Sequence, residues 1–117
     1  MAPVQFPGTQ LLKGTTPLLV LTVIGDGELY GYEIAQRIRE LSGGAFAPSE
    51  GSLYPSLHRL EADGALVAVW RASDRGPRRR YYRLTPKGGD MLRESRREWA
   101  TFVEGVQAVT AGGRSDG

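Results

Sequence analysis

Cysteine is absent from the 117 residues, and histidine occurs once, as His58. These absences exclude a disulfide framework, a thiolate nucleophile, a Cys-ligated zinc and any cluster of histidines for metal or proton-transfer chemistry. There is no nucleophile elbow and no Walker loop, and the sparse glycines Gly43, Gly44 and Gly51 are accounted for by turn chemistry. Glu50 and Glu61 stand eleven positions apart along one predicted helix, about three turns, so they cannot act as a catalytic carboxylate pair within one chain. No enzymatic activity, metal or cofactor is expected. Long hydrophobic runs are missing too: the longest, Leu18 to Ile24, is too short to cross a bilayer, and the first residues lack a secretion signal. The expected location is the cytoplasm, with no membrane partner.

Charge of one sign is scarce overall, with 15 basic and 13 acidic residues and a net charge of +2. Its distribution is uneven. Between Arg71 and Arg83 stand six arginines (71, 75, 78, 79, 80 and 83) against one acid, Asp74. Such a block points to a polyanionic partner more strongly than the net charge does. An apolar content of 40% and a charged content of 24% lie in the ordinary globular range, and the length suits a single domain with one modest core.

Along the chain, residues 1–9 carry prolines without periodicity and are expected to form a flexible arm. Thr16-Pro17 has the form of a helix cap followed by proline, so a buried first helix is predicted from there to Ile24, with Gln10 to Lys13 adding a turn before it. After Gly25-Asp26-Gly27, the stripe Ile34, Ile38 and Leu41 predicts an amphipathic second helix that stops at Ser42-Gly43-Gly44. Ser49 caps a third helix whose Leu53, Leu57 and Leu60 face the core. Pro55 inside it predicts a distorted first turn. Leu66 to Arg71 and Arg80 to Leu84, joined by Asp74-Arg75-Gly76-Pro77, predict a β-hairpin with a long basic loop. Thr85-Pro86 opens a last helix, and about 24 residues there would reach ~36 Å, further than the small core can cover. Its seam of Leu92, Trp99, Val106, Phe102 and Val109, widened by Val103, therefore needs a partner, most simply a second copy. The fold class is mainly α with a small β-hairpin (α+β): a winged helix-turn-helix over 10–85, a dimerisation helix over 86–110 and a disordered tail over 111–117.

In such a fold the third helix enters the major groove. Gly51 and Ser52 at its start permit close approach, and Pro55, His58 and Arg59 share the face opposite the leucines, with Tyr54 on the flank and Ser49 at the cap. Ser52, Tyr54, His58 and Arg59 can donate to phosphates or base edges. Arg75, Arg78, Arg79 and Arg80 would sit at or near the wing tip, suited to phosphate or a narrow minor groove. Lys13, Tyr30 and Tyr32 lie on elements that cross the backbone in such domains. The plain alternative is a solvated helix face and a solvated hairpin, with Arg71 and Arg83 pairing with carboxylates on the body, the tyrosines supporting the core and Trp99 packing in a seam.

Gly31-Tyr32-Glu33-Ile34, then Ser52-Leu53-Tyr54-Pro55 with Leu57, Arg59, Leu60 and Glu61, then Arg79-Arg80-Tyr81-Tyr82-Arg83-Leu84-Thr85 resemble the phenolic-acid decarboxylase regulator (PadR) family of bacterial transcription factors, its short branch with one terminal helix. The resemblance runs from about Leu11 to Val109. It implies a homodimer joined across the C-terminal helix, two recognition helices and wings on a palindromic operator in double-stranded DNA, and contacts from Ser52, Tyr54 and the wing arginines. It also implies that the interface around Trp99 is where a small aromatic effector binds in some members. Gly88-Gly89 departs from the family pattern and predicts a frayed start to the last helix. The expected function is a sequence-specific dimeric regulator, a repressor released by a small molecule or other signal; a protein-binding adaptor built on the same surfaces is the alternative.

Overall fold

Leu53, Leu57 and Leu60 recur at helical spacing and are all buried, together with Val20, Leu21, Ile24, Ile34, Ala35, Ile38, Leu66 and Tyr82. That one cluster is the core, and each element contributes one face to it. The computed structural model describes residues 8–112, with side chains from Gly14 onward. Its order is α1 (Gly8–Ile24), β1 (Leu29–Tyr30), α2 (Gly31–Leu41), α3 (Glu50–Ala62), β2 (Leu66–Arg71), β3 (Arg79–Leu84) and α4 (Pro86–Gly112).

α1 differs from its prediction. It is continuous from Gly8 with Pro17 in its interior, because proline's fixed φ is helical and the loss is confined to one N–H bond. Most of the predicted arm, residues 1–7, lies outside the described residues, whereas Gly8 and Thr9 are already helical. α2 buries Gly31, Ile34, Ala35 and Ile38, and its expected core residue Leu41 is 73% exposed: at the last turn it lies past the cover of the other helices. The Tyr30 amide donates to the Glu33 carboxylate at 3.1 Å, holding the start of α2.

α3 runs unbroken through Pro55, which can withhold only the bond to the Gly51 carbonyl. Its cap is as predicted, with Ser49 Oγ accepting from the Ser52 amide at 3.1 Å. The predicted hairpin is the larger part of a three-stranded antiparallel sheet of order β1-β3-β2. β1 pairs Leu29 with Tyr82 and Tyr30 with Tyr81, and β2 pairs Trp70 with Arg80 and Arg71 with Arg79. Two residues are too few to carry a periodic signal, so β1 was invisible in the sequence.

α4 spans 27 residues, or about 40 Å, in a molecule whose longest extent is 62 Å. Its start is pinned rather than frayed. Thr85 Oγ1 accepts from the Gly88 amide at 3.0 Å and lies 2.6 Å from the Gly64 carbonyl, while Lys87 Nζ donates to the Asp63 carbonyl at 2.6 Å. A Cβ on Gly88 would lie 2.1 Å from the Ala65 carbonyl oxygen, so glycine is what lets the helix approach the turn after α3. α4 packs on α1 and β3 and then projects, with helix to Gly112 where a tail from 111 was expected; residues 113–117 lie outside the described residues. No described helix is long and apolar enough to cross a membrane.

Candidate nucleic-acid interface

The leucine stripe of α3 fixes what the opposite face presents. Gly51, Ser52, Pro55, His58 and Arg59 are all exposed there, and Tyr54 is 45% exposed on the flank. A Cβ on Gly51 would meet nothing within 4 Å, so no contact inside the chain requires glycine at that position. Ser52 Oγ donates to the Ser49 carbonyl at 2.9 Å, which leaves its lone pairs rather than its proton facing outward. The His58 and Tyr54 rings meet in an edge-to-face arrangement, with centroids 5.3 Å apart.

The wing is closed by Ser73, whose hydroxyl donates to the Pro77 carbonyl at 2.8 Å, and by Gly76, whose φ of +103° is open to glycine and strained for other residues. Arg75 and Arg78 are exposed on this loop, and Arg78 lies 5.7 Å from the centre of the Trp70 ring. Arg79 lays its guanidinium over Tyr30 at 4.6 Å. Tyr30 in turn meets Tyr81 edge-on at 5.2 Å and stacks on Tyr32 at 6.4 Å. Tyr32 is exposed on the first turn of α2, whereas the Lys13 side chain lies outside the described residues.

Arg80 is not at the tip. Its Nη2 donates to Glu61 on the last turns of α3 at 2.7 Å, because alternation along β3 turns it to the core side of the sheet. Arg71 and Arg83, on the opposite face of the sheet and still exposed, both pair with Glu28, at 2.8 and 3.5 Å. The hydrogen bonds from Arg71, aided by the charges of both arginines, hold the Glu28 carboxyl below the ordinary carboxylate range. Burial raises the Tyr82 phenol above its ordinary value against the opposing charge of Arg80. Among the described residues Arg59, Arg75, Arg78 and Arg79 form no ion pair. Four permanent cations thus remain unneutralised on one helix face and the adjoining wing. Between them lies a cleft of about 190 Å³ lined by Tyr30, Glu50, Tyr54, Trp70, Tyr82 and Arg78 to Arg80. Glu61 and Glu28 were not singled out as partners in the sequence; strand alternation placing Arg79 and Arg80 on opposite faces was the available signal for the first.

On α4, Trp99, Phe102, Val106 and Val109 are 44–74% exposed in a row, with Val103 half-buried beside them. Leu92, expected in this seam, is buried in the chain's own core, since α4 lies over α1 and β3 at that level. Trp99 and Phe102 stack at 5.7 Å and, with Gly14, Thr15, Pro17, Leu18, Ser95 and Glu98, border an open cleft of about 410 Å³ between α1 and α4.

Residues 20–94 match the model of the transcriptional regulator PadR-like family. The chain is 47% identical over 103 residues to the transcriptional regulator Rv3488 of Mycobacterium tuberculosis, covering 86% of this chain and 92% of that protein. A PadR-like transcriptional regulator from Bacillus cereus superposes with a TM-score of 0.74 at 33% identity, over 88% of this chain and 98% of that one. Bacillus subtilis PadR, solved in complex with operator DNA, superposes with a TM-score of 0.62 at 24% identity over 68% of this chain and 45% of that one, a likeness of fold.

Proposed function

The chain belongs to the PadR-like family of transcriptional regulators, and from that premise we propose that it is a dimeric, sequence-specific DNA-binding repressor of the cytoplasm. The observation that carries this reading is the juxtaposition of the polar face of α3 with the unpaired arginines of the wing. α3 suits a major groove, with the Ser52 hydroxyl oxygen toward a base-edge donor, Tyr54, His58 and Arg59 toward base edges and phosphates, and Gly51 and Pro55 allowing close approach. Arg75, Arg78 and Arg79 suit the flanking backbone or minor groove, with Ser49, Tyr32 and Lys13 on elements near it. The fold shared with Bacillus subtilis PadR, which was solved in complex with operator DNA, supports DNA as the partner.

Residues 10–85 serve as the reading head and α4 as the dimerisation helix. Its exposed row from Trp99 to Val109 is apolar surface that a second copy would bury, and two heads on a palindrome need a spacing of about 34 Å. The cleft beside Trp99 and Phe102 has the aromatic lining that a small aromatic effector requires, and binding there could release DNA only through unequal affinity for two dimer shapes.

The test is fluorescence-anisotropy titration of ~40-bp duplexes, one from upstream of the protein's own gene and one scrambled, across a salt series. Preference for the first, saturating at two chains per site, is the expected result. Weak and equal binding that vanishes at physiological salt would favour the protein-binding adaptor.

A further inference from the structure

Arg79 and Arg80 are neighbours in β3, and strand alternation sends them to opposite sides of the sheet. Arg79 joins the tyrosines of the outer face. Arg80 points inward: Nη2 donates to Glu61 Oε2 at 2.7 Å, Nη1 donates to the Tyr82 hydroxyl at 3.3 Å, and the guanidinium lies 5.9 Å from the Trp70 ring centre. Both charged side chains are less than a third exposed, at 28% and 30%. Arg80 Nε is buried without a partner.

An unpartnered buried N–H carries a desolvation penalty, and a part-buried ion pair contributes little net stability, so stability alone is a poor account of this arrangement. Geometry is a better one. Glu61 lies one residue before the end of α3, and β3 is the middle strand of the sheet, so the pair bolts the far end of the proposed reading helix directly to the wing. A planar guanidinium packed by Trp70 and Tyr82 can hold one orientation, which a flexible ammonium would not. We infer that the Arg80–Glu61 pair is a strut fixing the angle between α3 and the wing, which makes Arg80 a positioning residue for DNA reading and not a phosphate contact.

This rests on the DNA-binding reading, under which a strut and a contact predict effects of opposite sign at Glu61. Glu61→Gln removes a negative charge near a polyanion, which by electrostatics alone should tighten binding. As the loss of a strut it should weaken binding to the own-promoter duplex, on the order of tenfold, a coupling of ordinary size for a paired network. Arg80→Lys should weaken binding to a similar degree because it keeps the charge and loses the fork. The combined variant Glu61→Gln/Arg80→Lys should be no worse than either alone. None of the three should change the salt slope, whereas Arg79→Ala should lower it by about one. Tighter or unchanged binding by Glu61→Gln, or a salt slope lowered by Arg80→Lys, overturns the strut.

A readout without DNA separates this from failure of the functional reading. In protein labelled with 5-fluorotryptophan, the ¹⁹F resonance of Trp70 should shift in folded Glu61→Gln, because Arg80 no longer rests against its ring. If no duplex binds wild type, the regulator reading fails and the resonance alone decides: a shift supports the strut, and an unmoved resonance overturns it.

Discussion

Arg79 and Tyr30 meet face-on, the guanidinium 4.6 Å from the ring centre, so an exposed wing arginine is oriented by a tyrosine at the start of α2. Tyr30 is half-buried, and a cation over a ring that keeps contact with water contributes about 0.5–1 kcal/mol. Tyr30→Leu should therefore weaken DNA binding about two- to fivefold. Tyr30→Phe, which keeps the ring, should bind as wild type, and a loss as large as that of Tyr30→Leu would refute the ring's role. Anisotropy titrations of both variants beside Arg79→Ala check this.

Contacts to phosphate and contacts to base edges should separate by their sequence dependence. Arg79→Ala should weaken specific and scrambled duplexes alike, while Arg59→Ala or a bulky residue at Ser52 should alter the preference between sequences by about 1–3 kcal/mol. Equal effects on both duplexes from both kinds of variant would refute the division between helix and wing.

If α4 joins two copies as proposed, Phe102→Ala and Val106→Ala should weaken that dimer, the first more strongly, since a buried aromatic anchor at an interface is worth about 2 kcal/mol or more, some thirtyfold in dissociation constant. Sedimentation across a dilution series measures it. Leu92→Ala should instead lower folding stability, because Leu92 lies in the chain's own core.

The adjacent glycines of α4 should respond to alanine with opposite signs. Gly88→Ala drives a Cβ into the Ala65 carbonyl, so a loss of about 1–3 kcal/mol or more and a lower thermal midpoint are expected. Gly89 has only the far end of Arg93 near its absent Cβ, at 3.9 Å, so Gly89→Ala should gain up to about 1 kcal/mol from helix propensity. Thermal denaturation of the two variants decides it.

Glu28 supplies an acid-sensitive element. Its carboxyl is held low in the folded protein, first by hydrogen bonds from Arg71, so its contribution is complete above the unfolded value of about 4.3 and is lost as pH falls through the lowered folded value. Glu28→Gln should be less stable than wild type at neutral pH, and the difference should close as pH falls through the lowered folded value. Urea midpoints of both proteins over that range test the sign.

Much of the fold was legible because it rests on local signals. The Ser49 cap, the leucines of α3, the Thr85-Pro86 start of α4 and the strands around the basic loop each lie within a dozen residues and obey a single periodicity. What misled was also local: Thr16-Pro17 has the form of a helix start, yet α1 passes through it, and Leu41 continues an apolar stripe beyond the point where anything covers it. The exposed polar face of α3 followed from the leucines opposite it. The disposition of the arginines was legible only in part, since spacing told that Arg71 and Arg83 had an alternative on the body but not that Glu28 was the carboxylate.

The sequence by itself determined the periodic elements, the caps and the concentration of positive charge between Arg71 and Arg83, because those depend on neighbours along the chain. Only the tertiary structure decided which of those charges stay available. Arg71, Arg80 and Arg83 are taken by Glu28 and Glu61, while Arg75, Arg78 and Arg79 remain unpaired among the described residues. It likewise decided that Leu92 belongs to the core and that Gly88 must be glycine. The reason is the same in each case: ion pairing, burial and close backbone approach depend on distances between residues far apart in the chain, and those distances exist only once the core has brought helices and sheet together.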